Sequence, residues 1–423
     1  MRAALALLLA CWLVGCAGPP AAPTAFPAGS GGVNRGAMAS APTVVLVSFD
    51  GFRADYLDRY EAPTLRALAA RGARARQGMR SVFPSKTFTN HYSLVTGLYA
   101  EDHGIVANGF YDPARGERYS IGTPTVVDGT WYRGEPLWVT AERQGMVTAS
   151  YFWVGSEAAI GGVRPTTWTT YVHETPNAAR VDSVLAWLRR PPASRPHFVT
   201  LYMSDVDDAG HRHGPDAPET AAAVARVDSA LARLVAGLDA LPFADEVTLV
   251  VVSDHGMAAT RPEDAVALET LIDTTGVRVA DGGPNANLHV AGGAARAVAV
   301  RDSLNARLQH GRAYLRADLP ERFHYRADPR AGDVVVVMDV PYLITTQARL
   351  PRRAGGSHGW DPAVPEMQAL FVAAGPGIAP GTDVPPFDNV EVYSFVTEVL
   401  GLRPAPGVAG RPGWLRGVLR GAR

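Results

Sequence analysis

Four short runs of apolar and β-branched residues constrain the fold most: Thr43–Phe49 (TVVLVSF), Phe198–Met203 (FVTLYM), Val247–Val252 (VTLVVV) and 369–373 (ALFVA). None shows the alternation of a strand with one wet face, so each is expected to be a strand buried on both faces. Between them, Pro63–Arg71, 178–190, 218–241 and 390–400 carry apolar residues at helical spacing. The order predicts an α/β fold in which a central, mostly parallel sheet is flanked by helices. Residues 280–350 read as a smaller, less regular α+β insertion that contains the strand-like Val334–Met338 (VVVVM).

Each of three strands is followed within a few residues by groups that bind cations: Asp50 after the first, Asp207 and His211 after the second, Asp254 and His255 after the third. In sheets of this kind ligands gather beyond the carboxyl ends of the strands, so the three segments are expected to converge on one edge. Pro84-Ser85-Lys86-Thr87-Phe88 offers a hydroxyl, Thr87, between these acidic signatures, and His358 adds a further imidazole. That is enough oxygen and nitrogen for two divalent ions around one threonine, a metal-activated nucleophile.

Composition narrows the partners. At 423 residues, 47% of them apolar, burial of a large core is assured, and a formal net charge of −1 provides no basic field for a nucleic-acid polymer. Both cysteines, Cys11 and Cys16, lie in the first twenty residues. No disulfide or thiolate metal site is therefore available downstream, and the metal ligands must be histidine and carboxylate.

The beginning of the chain reads as an address. Met1-Arg2 precedes an apolar run from Ala3 to Val14 that is too short to span a bilayer, as in a signal peptide. It ends in Leu13-Val14-Gly15-Cys16, which resembles the bacterial lipobox; cleavage would leave Cys16 as an acylated first residue. Residues 1–15 are thus expected to be a lipoprotein-type signal peptide, 16–42 a flexible Ala/Pro/Gly/Ser tether, and 43–423 the catalytic domain of an exported, periplasmic and membrane-anchored protein.

The motifs in order resemble a known family. Val47-Ser48-Phe49-Asp50-Gly51-Phe52-Arg53, the run from Pro84 to Tyr92, Val95-Thr96-Gly97-Leu98-Tyr99, Asp102-His103-Gly104-Ile105 leading to Asn108, Asp207 to Gly214, Ser253 to Met257 and Gly356-Ser357-His358-Gly359 are similar to the blocks of the nucleotide pyrophosphatase/phosphodiesterase family of the alkaline phosphatase superfamily. Thr89 departs from that pattern, standing where the family usually has proline, and removes no ligand. The resemblance implies two zinc ions: one on Asp207, His211 and His358, the other on Asp50, Asp254, His255 and the Thr87 oxygen. Manganese or cobalt would accept the same ligand types, so zinc itself rests on the resemblance.

It further implies that Thr87 attacks phosphorus to give a phosphothreonine, that Asn108 donates to a nonbridging oxygen, and that Phe88 and Tyr171 enclose a nucleobase, with Trp153 as a further substrate contact. The expected substrate is a nucleotide or another small phosphodiester. Choline lipids, which would need a cage for a quaternary ammonium, remain an alternative. A monoesterase would need an added cation in the segment that here reads Tyr151-Phe152-Trp153-Val154-Gly155, and a sulfatase would need cysteine or serine at Thr87. A noncatalytic binding lipoprotein on this fold would have lost ligands, and none is missing.

Overall fold

The computed structural model describes residues 30–420. The expected signal peptide, Cys16 and the first part of the tether lie outside the described residues. At its centre is an eight-stranded sheet in which Val247–Val252, Thr43–Phe49, Phe198–Met203, Thr148–Tyr151 and Thr167–Thr169 run parallel side by side. Phe371–Ala374 pairs antiparallel with Val247–Val252, and the short strands Ala73–Arg74 and Thr382–Asp383 complete that edge.

Every residue of Thr43–Phe49 is buried. Val44 and Leu46 join one hydrophobic cluster, while Val45, Val47 and Phe49 join another on the opposite face. This is why the run reads as continuously apolar: successive side chains enter two different cores. On one face lie helices Pro63–Arg71, Asn177–Leu188 and Pro218–Asp239. On the other lie Thr87–Thr96, Leu137–Arg143 and Glu391–Val399. Helix starts follow local chemistry: Pro63 and Pro218 open their helices, where a missing N–H costs nothing. Asp228, on the long helix, accepts the Thr64 and Leu65 N–H groups at 3.0 and 2.8 Å and so caps its neighbour.

The insertion is a four-stranded antiparallel sheet ordered Val277–Asp281, Asn285–Val290, Val334–Met338, Gly311–Leu315, with helix Gly293–Asn305 packed on it. It has its own core, including Leu288, Val300, Leu304, Val334 and Val336. A buried chain of hydrogen bonds joins it to the main body: Asn285 Nδ2 donates to Asn287 Oδ1 at 3.1 Å, Asn287 Nδ2 to the Tyr325 hydroxyl at 2.9 Å, and that hydroxyl to the Val106 carbonyl at 2.7 Å.

Part of the expected tether, residues 16–42, is docked on the domain from Ser30 onward. Ser30 N donates to Glu142 Oε2 at 3.0 Å, Asn34 Nδ2 bonds to the Pro192 and Arg195 carbonyls, and Asn34 Oδ1 accepts the Val147 N–H at 2.7 Å. These contacts fix the segment from Ser30 onward, including the turn of 3₁₀ helix Gly36–Ser40. Among the described residues, no helix is long and apolar enough to cross a membrane.

Candidate active site

Strands Val247–Val252, Thr43–Phe49 and Phe198–Met203 are neighbours in the sheet, so their carboxyl ends deliver Asp254-His255, Asp50 and the helix Asp205–His213 to one place. On that helix Asp207 and His211 are four residues apart and share a face, with Asp207 Oδ2 3.4 Å from His211 Nε2. Gly51, at φ +68°, makes this approach possible: a Cβ there would lie 2.9 Å from the Asp207 Cα. His358 arrives from the far side of the insertion. Its strand Gly355–Ser357 pairs with Ala258–Thr260, just past His255.

The six expected ligands form two groups, Asp207/His211/His358 and Asp50/Asp254/His255, in each of which the ligand atoms lie within 4.8 Å of one another. Three observations fit cations there. The Nδ1 atoms of His211, His255 and His358 donate to the carbonyls of Gly356, Gly256 and Ser85 at 2.9, 2.9 and 2.8 Å. Each ring is thereby fixed with Nε2 facing inward, the orientation used for metal binding; at His255 the Nε2 proton shared with Asp254 would be the one a metal displaces. His211 Nε2 and His358 Nε2 face each other at 3.1 Å, two lone pairs that repel unless a cation is shared nearby. Buried Asp50 Oδ1 and Asp207 Oδ1 lack hydrogen-bond partners, and Asp254 Oδ2 has only ring nitrogens for company, His255 Nε2 at 2.8 Å and His91 Nδ1 at 3.4 Å.

The electrostatics agree. Burial and the carboxylates of Asp254 and Asp207 push the Asp50 carboxyl well above its usual range, and burial raises Asp207. Burial also opposes ionisation of Asp254, but His255 and His91 outweigh it and hold that carboxyl below the usual range. Burial, then His255 and His211, drive the His358 imidazole far down. An anionic, lone-pair-rich centre of this kind is stabilised by divalent cations.

Thr87 opens helix Thr87–Thr96, and its Oγ1 is 3.3 Å from His255 Nε2. Asn90, which sequence reasoning missed, holds the approach to this helix: its Oδ1 accepts the Val82 N–H at 2.7 Å and its Nδ2 bonds to the carbonyls of Val82, Pro84 and Lys86. His91 Nδ1 donates to the Thr87 carbonyl at 2.9 Å and Nε2 meets Ser48 Oγ at 2.8 Å. Asn108 Oδ1 accepts the Phe88 N–H at 2.9 Å, which leaves its Nδ2 free to act as a donor to a ligand. Tyr202, also missed, donates its hydroxyl to Asp50 Oδ2 at 2.5 Å. Its position one residue before a strand end, in register with Ser48 beside Asp50, was the available signal.

Of the expected substrate contacts, Phe88 is half-buried and crosses Tyr119 at 6.2 Å and 63°, and Tyr171 is 41% exposed and crosses Phe152 at 5.0 Å and 67°. Each ring is braced by a crossed neighbour. Trp153 differs from expectation: it is 5% exposed and its indole donates to the His91 carbonyl at 2.9 Å, so it props the Thr87 helix from behind. Its polar edge finds a backbone partner within the core and has none to spare for substrate.

Residues 44–361 match the sequence model of the type I phosphodiesterase/nucleotide pyrophosphatase family. The chain is similar to a venom phosphodiesterase of Naja atra, 36% identical over 371 residues, which are 86% of this chain and 45% of the relative. It is likewise 36% identical over 380 residues to human ectonucleotide pyrophosphatase/phosphodiesterase family member 1, covering 86% of this chain and 40% of that protein. The chain thus spans about half the length of the curated relatives it matches. Among solved structures it is similar to murine ectonucleotide pyrophosphatase/phosphodiesterase 5, an inactive variant in complex with AMP, with a TM-score of 0.83 and 29% identity over 89% of this chain and 99% of that one. Ordered motifs, sheet, and site geometry agree with these likenesses: the chain belongs to the type I phosphodiesterase/nucleotide pyrophosphatase family of the alkaline phosphatase superfamily.

Proposed function

We propose that this protein is a phosphodiesterase and nucleotide pyrophosphatase that uses Thr87 as nucleophile and two zinc ions, one at each ligand group, to convert phosphate diesters and nucleotide phosphoanhydrides into nucleoside monophosphates. The observation that carries this reading is a hydroxyl at a helix N-terminus, Thr87 Oγ1, placed 3.3 Å from His255 Nε2 at the edge of two adjoining ligand groups. The ions would supply positive charge for the anionic phosphate oxygens and lower the pKa of the hydroxyl.

Thr87 gives up its hydroxyl proton to solvent, Oγ1 bonds to phosphorus, and the bond to the leaving oxygen breaks with its electron pair on that oxygen, which takes a proton from water where its basicity requires one. Water then displaces Oγ1 and restores the hydroxyl. Because Asn108 Oδ1 is engaged by the Phe88 N–H, its Nδ2 is the end that donates to a nonbridging oxygen. The positive end of the ten-residue helix Thr87–Thr96 favours the same anion. Phe88 and Tyr171 supply aromatic surface for a nucleobase, and the AMP held by the murine relative supports nucleotides as the substrate class. Further, Cys16 is proposed to carry the lipid that anchors the protein in the bacterial envelope.

A diester made chiral at phosphorus tests the route. Two in-line displacements give net retention, and Thr87→Ala is expected to lose nearly all turnover while keeping its metal. Net inversion, or near-normal rates in Thr87→Ala, would assign the attack to water instead.

A further inference from the structure

Beyond His211, on the outer side of the Asp207/His211/His358 group, lies a cavity of about 350 Å³ lined by His211, Thr260, Thr345, Arg349, Arg353 and Ser357, among others. The segment Gln347–Ala354 that borders it carries Arg349, Arg352 and Arg353 within five positions. All three are exposed, and among the described residues none of their guanidinium groups pairs with a carboxylate. The acid beside the lining residue Gly282 is Asp281, and Lys86 already holds it. Glu269, whose carboxylate accepts the Gln347 N–H at 2.9 Å, is bonded to the backbone of the segment and not to its guanidinium groups. The result is a concave surface bearing unpaired guanidinium groups next to His211 in a chain whose overall charge is −1.

We infer that this cavity receives the anionic part of a leaving group, a pyrophosphate or phosphate chain, with Arg349 and Arg353 as its counter-charges. The inference rests on the proposed function. In an in-line displacement the leaving oxygen departs opposite the nucleophile. Thr87 Oγ1 stands beside His255, in the Asp50/Asp254/His255 group, which leaves the other group, Asp207/His211/His358, for the departing oxygen, and of that group His211 lines the cavity. As Oγ1 bonds to the α-phosphorus of a nucleoside triphosphate, the bridging bond breaks and its electrons remain on pyrophosphate. That product gathers charge where two guanidinium forks can bind phosphate oxygens bidentately. A neutral or aryl leaving group gains nothing from them. The cavity therefore biases the enzyme toward nucleotide phosphoanhydrides over simple diesters.

The test compares the wild type with the Arg349→Ala/Arg353→Ala double variant on ATP and on p-nitrophenyl thymidine 5′-phosphate, with inorganic pyrophosphate binding measured by calorimetry on both metal-loaded proteins. Both residues are exposed, so the variant is expected to fold. The ratio of kcat/KM for ATP to that for the aryl diester should fall about ten-fold, and pyrophosphate affinity by a similar factor. The double Lys variant should recover part of each loss. An unchanged ratio with unchanged pyrophosphate affinity overturns the inference. Weaker pyrophosphate binding with an unchanged ratio also overturns it, making the cavity an inhibitor site for free anions. A wild type that turns over neither substrate refutes the proposed function, and calorimetry then decides the cavity separately.

Discussion

Buried between the Thr87 helix and the loop that leads to Asn108, His103 meets Ser93 Oγ through Nε2 at 2.9 Å and accepts the Ile105 N–H on Nδ1 at 3.1 Å. One nitrogen donates and the other accepts, so the ring must be neutral. Burial, followed by the nearby Arg133, pushes its pKa down to about 3. The sign is that of a group neutral in the fold: stability is full above about pH 6.5, then falls as the unfolded chain alone takes up a proton, until about pH 3. The window represents about 5 kcal/mol at most. Denaturant midpoints between pH 7 and 4 should fall less steeply in His103→Gln than in the wild type; parallel slopes would mean that His103 is not the titrating group. At this scale the candidate ligands and Thr87, which the structure brings together, were legible because their chemistry sits in short contiguous motifs. Tyr202 and Asn90 stayed hidden because their roles depend on which atoms they meet across the fold. Trp153 was misplaced because an aromatic residue beside a site does not disclose which way its ring points.

Elements were legible where burial dictates pattern. Helix Pro63–Arg71 has the expected limits, and Asn177–Leu188, Pro218–Asp239 and Glu391–Val399 differ from expectation only at their ends. The strand expected at 369–373 begins at Phe371, since Ala369 is drawn into bridges with Arg53 and Met79 instead of the ladder. Less legible was the contact between helix Asp205–His213 and strand Gly355–Ser357, which needs glycine for steric reasons alone. A Cβ on Gly356 would lie 2.6 Å from the Gly210 carbonyl oxygen and 2.9 Å from Met257 Cγ. Gly356→Ala should therefore part helix from strand, displace the carbonyl that orients His211, and cost about 1–3 kcal/mol. Metal content and thermal midpoint should both drop. Wild-type values for both would show that the helix and strand have room to separate.

For the whole molecule, an Ala/Pro/Gly-rich composition concealed a docked segment: Ser30 and Asn34 attach residues that look unstructured, through bonds to partners more than a hundred positions away. Residues from Ser30 onward are therefore not available as a spacer. If Cys16 is acylated, the wild type should sediment with membranes and Cys16→Ala should be released. Wild-type protein recovered entirely in the soluble fraction, with an unmodified Cys16, would refute the anchor. The insertion, read from sequence as a smaller and less regular α+β segment, is attached to the catalytic body by the buried Asn285, Asn287 and Tyr325, whose last bond ends at Val106, two residues before Asn108. Exchange of this insertion between relatives is therefore not a modular operation: a graft that brought its own strands but omitted these three side chains would strand buried polar groups and release the loop that carries Asn108.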